Sequence, residues 1–389
     1  MESRGGIPDK RLVLILPAAF AASLAVGVVN LGMLFLVKRS FGAGPETIGW
    51  FTALWCATYF AGCVALRPLS RLIGATASMA LACASIAALL AIHLVFPSLA
   101  SAFACYGLYG FAIALFWPRA MGWLASGLEG TGMTRAYGAY NIAWSGASII
   151  SPYIAGALSE SSVTLPVYVG LSIFAANGIF IAIASRRIRS PSIRVPCSTG
   201  ASSSPVADRS TPLRFPTWIG LFSAYVLYAI FSNIFPVFAK DELSFSESTI
   251  GLYLLARATA SAVGFWAFGR MSNWQFKRKL IPAALLCALA IDLSFAFFAS
   301  APWLLVGMIL SGFVIAWAYS MSIFYGASGA PDRDKRMSIH EAVLTAGQVL
   351  GSVAGGAAYQ RLSWTSVFVL TAVMMAAFLA IQAAFLKKR

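Results

Sequence analysis

Twelve long apolar runs, separated by short segments that hold almost all of the charge, leave this chain few folds to choose from. They cover 12–37, 47–66, 75–96, 98–118, 135–158 and 165–185, then 216–239, 249–268, 280–299, 302–324, 337–359 and 365–386. A helix needs about 20 mostly apolar residues to cross the hydrocarbon core of a bilayer. Membrane β-strands are segments of about 10 residues that alternate in polarity, whereas these runs are apolar all round. Membrane-spanning helices are therefore expected. Composition agrees, with 59% hydrophobic residues, 11% charged and a mean hydropathy of +0.80. A water-soluble core of this size cannot bury so much apolar surface. The same figures exclude a disordered chain, a disulfide-rich secreted module and a nucleic-acid binder.

Lys10 and Arg11 ahead of the first run, with Ala19-Phe20-Ala21 inside it, look like parts of a signal peptide. The run nevertheless continues unbroken to Val37, well past the apolar region of about 7–15 residues of such a segment. A retained helix is expected. Orientation follows from the loop cations, because Lys and Arg collect on the cytoplasmic side. Twenty-three of them fall on one side, from Arg4, Lys10 and Arg11 through Arg67, Arg71, Arg119 and Arg135 to Lys387 and Arg389. Only Lys38, Arg39, Lys240 and Arg361 fall on the other, and Arg257 lies inside a run. Both termini are thus expected in the cytoplasm, and the compact loops suggest a bacterial inner membrane. The net charge of +15 reads as a topology signal that also attracts anionic lipid headgroups. Of six cysteines, Cys56, Cys63, Cys83, Cys105 and Cys287 lie in runs and Cys197 does not, with no disulfide or metal spacing among them.

The chain repeats itself. Thr47-Ile48-Gly49 recurs as Thr249-Ile250-Gly251, Gly62 as Gly264, and Gly110-Phe111-Ala112-Ile113-Ala114 as Gly312-Phe313-Val314-Ile315-Ala316, each at an offset of 202. Ala147, Ser151 and Ala155 form a ridge of small residues that returns as Gly347, Gly351 and Gly355. Ordered matches at nearly constant spacing indicate a duplicated unit. The expected fold is an all-α integral membrane protein, twelve transmembrane helices in two pseudo-symmetric six-helix bundles over 1–185 and 216–389. The Ser-, Pro- and Arg-rich segment 186–215 has too little apolar content for a core and reads as a cytoplasmic linker.

With twelve spans in two parallel halves, cytoplasmic ends and a long central loop, the whole chain resembles the major facilitator superfamily of secondary transporters. That family carries a Gly-x-Leu-Ala/Ser-Asp-Arg-x-Gly loop between helices 2 and 3. Here Arg67-Pro68-Leu69-Ser70-Arg71-Leu72-Ile73-Gly74 keeps the Leu, Ser and final Gly but has Arg71 in place of Asp. The second-half copy, Gly269-Arg270-Met271-Ser272-Asn273, keeps Gly and Ser and carries Asn for Asp. Ser151-Pro152-Tyr153-Ile154-Ala155-Gly156 looks like a softened form of the helix 5 motif Gly-Pro-x-x-Gly-Gly. The helix 4 Arg of many drug–proton antiporters has no counterpart ahead of Gly107 or Gly110. The resemblance implies a substrate near the midplane between two halves that rock to alternate access.

Polar residues inside spans are costly in hydrocarbon and face a cavity or a partner. Arg257 sits eight residues into the eighth span, about 12 Å from its outer end at about 1.5 Å per residue. Asp292 sits twelve residues into the ninth, at a similar depth. Either the two form a buried ion pair, or Arg257 anchors an anionic solute, since guanidinium matches carboxylate and phosphate bidentately. Asn30 and Asn233 occupy matching places in spans 1 and 7; Asn141 and Trp144 share one face of span 5, and Gln348 lies midway along span 11. These amides suit a polar substrate and suit interhelical hydrogen bonds equally well. Trp317 in span 10 is a further substrate-lining candidate, while Trp117 reads as an interfacial residue. The small-residue ridges serve either a sliding seam between the halves or packing within each half. For coupling or charge pairing the candidates are Asp292 and Glu341. The latter follows His340 at the start of span 11, where the helix dipole already favours an acid. His93 reads as facing lipid or as packing.

An enzyme is not expected: two His, no Cys/His cluster, no phosphate-binding loop and no paired carboxylates offer no catalytic site. The expected function is secondary transport of a small polar or anionic organic solute. A lipid, lysolipid or hydrophobic-compound transporter, or a non-transporting membrane sensor, is the alternative. Partners are then the solute, the lipid bilayer and, for a coupled cycle, a co-transported ion. No cofactor or metal is implied, and a monomer is expected.

Overall fold

The structure, a computed structural model, describes residues 10–125, 130–187, 211–271, 273–298, 300–328 and 333–387. Among these the chain is helical with short connections and no strand. Its elements are α1 (Lys10–Phe41), α2 (Pro45–Ala65), α3 (Arg67–Ile73), α4 (Ala75–Val95), α5 (Leu99–Ile113), α6 (Trp117–Ala125), α7 (Gly130–Ser161) and α8 (Leu165–Arg187). There follow α9 (Arg214–Ala229), α10 (Phe235–Asp241), α11 (Glu247–Arg270), α12 (Leu280–Phe297), α13 (Ala301–Ala327), α14 (Arg333–Arg361) and α15 (Trp364–Lys387). Most of the linker expected over 186–215, and Cys197 with it, lies outside the described residues.

Short breaks explain why there are more helices than apolar runs. Leu115 and Phe116 donate to the carbonyls of Ala112 and Ile113 at 3.0 and 2.9 Å, so a tight turn joins α5 to α6 in one rod. Pro118 then enters α6 at a position where no N–H is needed. α9 and α10 are likewise one rod, interrupted by a single π turn at Ile230–Ile234. Among the described residues ten rods are long and apolar enough to cross a membrane, including Leu99–Leu124 and Arg214–Asp241. The helices at the fifth and eleventh runs, α7 and α14, have 32 and 29 residues and carry more Gly, Ser and polar side chains. The architecture is thus consistent with the twelve runs.

The chain gathers into two compact units, Met1–Phe41 with Thr58–Ala201, and Gly42–Ala57 with Ser202–Arg389. The sequence assigned all of α2 to the first bundle; its opening half instead sits with the second unit. Glycine is the reason. A Cβ on Gly49 would lie 3.4 Å from the Gly356 Cα and would collide with the Ser352 carbonyl, so α2 and α14 touch backbone to backbone. Beside this contact Arg361 grips Glu46 through two hydrogen bonds, Nε to Oε2 at 3.0 Å and Nη2 to Oε1 at 2.6 Å. The Glu46 amide donates to Gln360 Oε1 at 2.9 Å. Glu46 raises the pKa of Arg361 above the ordinary arginine value by hydrogen bond and charge.

Both ridges of small residues turn inward, within their own units. Ser151, on the α7 ridge, abuts Gly27 of α1, and Ala147 and Ala155 are fully buried. On α14, a Cβ at Gly347 would stand 2.5 Å from the Phe222 carbonyl of α9, and Gly351 faces the Val226 carbonyl one turn on. Gly355 meets Ile230. The ridges therefore pack α7 on α1 and α14 on α9, and the face of α14 that meets α2 carries Ser352 and Gly356 instead.

The first unit also absorbs His93. It is buried, with Nδ1 2.9 Å from the hydroxyl of Ser101, a residue of the capping box that starts α5. Of the two roles the sequence left open, lipid-facing or packing, that is packing.

Candidate functional site

The site grows from the π turn in the α9–α10 rod. Pro236 has no N–H, so an α-helix running through it would leave the Ser232 carbonyl without its donor. The chain instead widens by one residue, and the Phe235 amide donates back to Ile230. Single π turns of this kind re-aim side chains and gather at functional sites. Here the turn holds Ser232 and Asn233. Ser232 Oγ accepts from Arg257 Nη2 at 2.9 Å, and Asn233 Nδ2 donates to Ser352 Oγ at 2.8 Å.

Arg257 comes from α11 and is 7% exposed. Its guanidinium lies over the ring of Tyr228, 4.4 Å from the centroid. Tyr228 stands four residues before Ser232, so both contacts come from one side of the α9–α10 rod. Nε and Nη1 of Arg257 have no acceptor. A bare charge in such a place costs several kcal/mol, on the order of the penalties found for buried ions without partners. A π face and one hydroxyl offset only part of that.

Beyond Tyr228 the aromatic strip continues. Tyr225 lies 5.3 Å from Tyr228, and Tyr319 of α13 lies 6.4 Å from Tyr225. Tyr319 meets the ring of His340 on α14 at 4.7 Å, edge to face. His340 is buried, with Nδ1 2.8 Å from Ser322 Oγ. The next residue, Glu341, is exposed. Tyr225 lies within electrostatic reach of both Arg257 and Glu341. Four helices of the second unit thus present a cation, three phenols and a carboxylate along one strip.

The ion pair between Arg257 and Asp292 is not formed. Asp292 is fully buried between α12 and α15, where its Oδ2 lies 2.7 Å from Thr371 Oγ1, while Oδ1 has no partner. The same hydroxyl is 2.8 Å from the Val367 carbonyl. One hydroxyl has one proton, so where Thr371 donates to the Val367 carbonyl, a proton on Asp292 Oδ2 makes the second hydrogen bond, and Oδ1 stays without a partner. Asp292→Asn is therefore expected to keep the melting temperature and transport near wild type, since an amide donates in the same place. Loss of transport with an unchanged melting temperature would show a coupling carboxylate instead.

Trp317 also falls away from the site. It packs with Phe268 at 5.9 Å on a core of Trp274, Ile281, Met321 and Tyr325. Tyr319, two residues on, takes the position against Tyr225. Gln348 Oε1 accepts from Cys56 Sγ at 3.2 Å, in the contact between α2 and α14. Asn30 and Trp144 belong to the first unit. Asn30 is half-buried with Oδ1 lacking a partner, and the Trp144 carbonyl accepts from Ser23 and Ser148 at 2.9 and 3.0 Å. The side chain of Asn141 lies outside the described residues. No group of three or more His, Cys, Asp or Glu suited to a metal occurs among the described residues.

Apolar rods long enough to cross a membrane, gathered in two compact units, fit a multi-pass membrane protein. The chain belongs to the Major Facilitator Superfamily, whose sequence model matches residues 15–333 and separately 217–389. Membership of that family indicates a transporter of some solute rather than an enzyme. Solved structures of such transporters are similar to it throughout. A bacterial homologue of the human lysosomal transporter Spinster, in an inward-facing and occupied conformation, matches with a TM-score of 0.74 at 14% identity, over 98% of this chain and 97% of its own. The nucleoside transporter NupG matches with a TM-score of 0.73 at 13% identity, over 96% and 98%. A POT family transporter in complex with 5-aminolevulinic acid matches with a TM-score of 0.79 at 11% identity, over 97% and 96%. At such identities these likenesses concern the fold alone. No curated protein matches the chain in sequence.

Proposed function

We propose that the chain carries a small polar organic solute with an anionic group, and that Arg257 binds that group. The observation behind this is the guanidinium itself, buried, stacked on Tyr228 and left with two nitrogens lacking acceptors. A carboxylate or phosphate on the solute supplies the missing charge and uses the planar donor fork. Alternating access between the two six-helix halves of the sequence then carries the solute across, with both termini in the cytoplasm of a bacterial inner membrane and one chain as the working unit. Thermal melting of the purified chain with graded solutes tests the reading. A ligand at a hundredfold excess over Kd stabilises by about 2.7 kcal/mol. Anionic solutes are expected to raise the melting temperature, and neutral isosteres are not. A response confined to apolar lipids would favour a lipid mover.

The contact of Glu46 with Arg361 fits the same cycle. By the charge count it stands at the outer ends of α2 and α14, which belong to different halves of the sequence, so in the proposed cycle a rocking of those halves parts it. Exposed ion pairs add little to stability, and its expected effect is on the balance of conformations. Cys56, buried beside Gln348, reports that balance. In a chain whose only cysteine is Cys56, Arg361→Ala is expected to speed labelling by an impermeant maleimide several-fold. An unchanged rate would mean the contact does not restrain opening.

A further inference from the structure

The tyrosine strip has charges of opposite sign at its two ends. Arg257 lies at one end, its free nitrogens beside Tyr228. At the other, Glu341 follows His340, whose ring packs on Tyr319. No described side chain is bonded to the Glu341 carboxylate, which is exposed to solvent. An acid placed only to complement the helix dipole has no need of a second charged group across a strip of rings. Tyr225 joins the two ends, being within reach of both charges, 5.3 Å from Tyr228 and 6.4 Å from Tyr319. Phenol rings suit the space between, because their faces attract cations and their hydroxyls both donate and accept.

We infer that the solute is a zwitterion, held by its oxyanion at Arg257 and by a protonated amine at Glu341, with its body along Tyr228, Tyr225 and Tyr319. This rests on the proposed anion site at Arg257 and adds the second pole. The two subsites select differently. A simple carboxylate engages Arg257 and leaves Glu341 in water. A simple ammonium engages Glu341 and leaves the buried guanidinium bare. Only a molecule carrying both groups at the right separation satisfies both.

The experiment uses straight-chain ω-amino carboxylates of increasing length, each beside the matching alkyl carboxylate and alkylammonium. Binding to the purified full chain is followed by thermal shift and competition. One amino carboxylate is expected to bind about tenfold tighter than its carboxylate analogue, which corresponds to about 1.4 kcal/mol. Glu341→Gln is expected to erase that preference while leaving carboxylate binding dependent on Arg257. Glu341→Asp, one methylene shorter, is expected to move the optimum to a longer solute, which decides the matter even where the Gln variant fails to fold. If carboxylates bind through Arg257 with no preference for an amine, or the preference survives in Glu341→Gln, the zwitterion inference is overturned and the anion site stands. If no carboxylate binds at all, both fail together.

Discussion

Arg257→Ala is expected to lower kcat/KM for solute transport by about 100-fold or more, since truncating one partner of a buried charge pair costs about 2–5 kcal/mol. Its effect on the empty protein is expected to run the other way. The wild-type guanidinium is 7% exposed and has only the Ser232 hydroxyl and the Tyr228 ring against it. Removing a buried charge that has no counter-ion relieves desolvation. The melting temperature without solute should therefore hold or rise, while stabilisation by anionic solute disappears. An arginine kept for structure gives the opposite pattern, a lower melting temperature with the solute response intact. Arg257→Lys keeps the charge but loses the planar fork, so weaker binding with part of the transport retained is expected. Tyr228→Phe keeps the ring beneath the cation and should be mild. Tyr228→Leu loses a cation–π contact worth up to about 2 kcal/mol when desolvated.

The sequence exposes this site only in part, and the missing part has a physical cause. Arg257 stands out because a charge inside an apolar run is conspicuous. Its neighbours do not. Tyr225, Tyr228 and Tyr319 are ordinary members of rods that are apolar all round, and such rods carry no amphipathic face to say which side turns inward. The same gap put Trp317 forward in place of Tyr319, two residues away and facing elsewhere. Ser232 is invisible until the π turn aims it, although Pro236 four residues later marks the place where the helix must change. For Asp292 the depth is legible and the partner is not. Which rod faces which is settled by packing, and α15 brings Thr371 to it. The duplication, by contrast, lies plainly in the spacing of glycines. Ridges of small residues are legible as ridges, yet only the structure shows that they serve α1 with α7 and α9 with α14.

Gly351→Leu is expected to be among the most damaging single changes in the chain. A Cβ at this position would run into the Val226 carbonyl and stand 3.0 Å from the Ala229 Cβ. Backbone cannot yield as the end of a side chain does, so α9 and α14 must separate. Overfilling a packed contact costs about 1–3 kcal/mol, occasionally more, and leucine adds several atoms where one already collides. The damage reaches the site, because α9 also carries Tyr225 and Tyr228 and runs on into the π turn that holds Ser232. A lower melting temperature is therefore expected, together with loss of solute binding well below it. Gly146→Ala on α7 is the control, since nothing lies within 4 Å of a Cβ there and little change is expected. If the ridge were a sliding surface between moving halves, Gly351→Leu would instead melt like wild type, bind solute and fail only to carry it across. Melting and binding measured on one preparation separate a contact that builds the second unit from one that moves in the cycle.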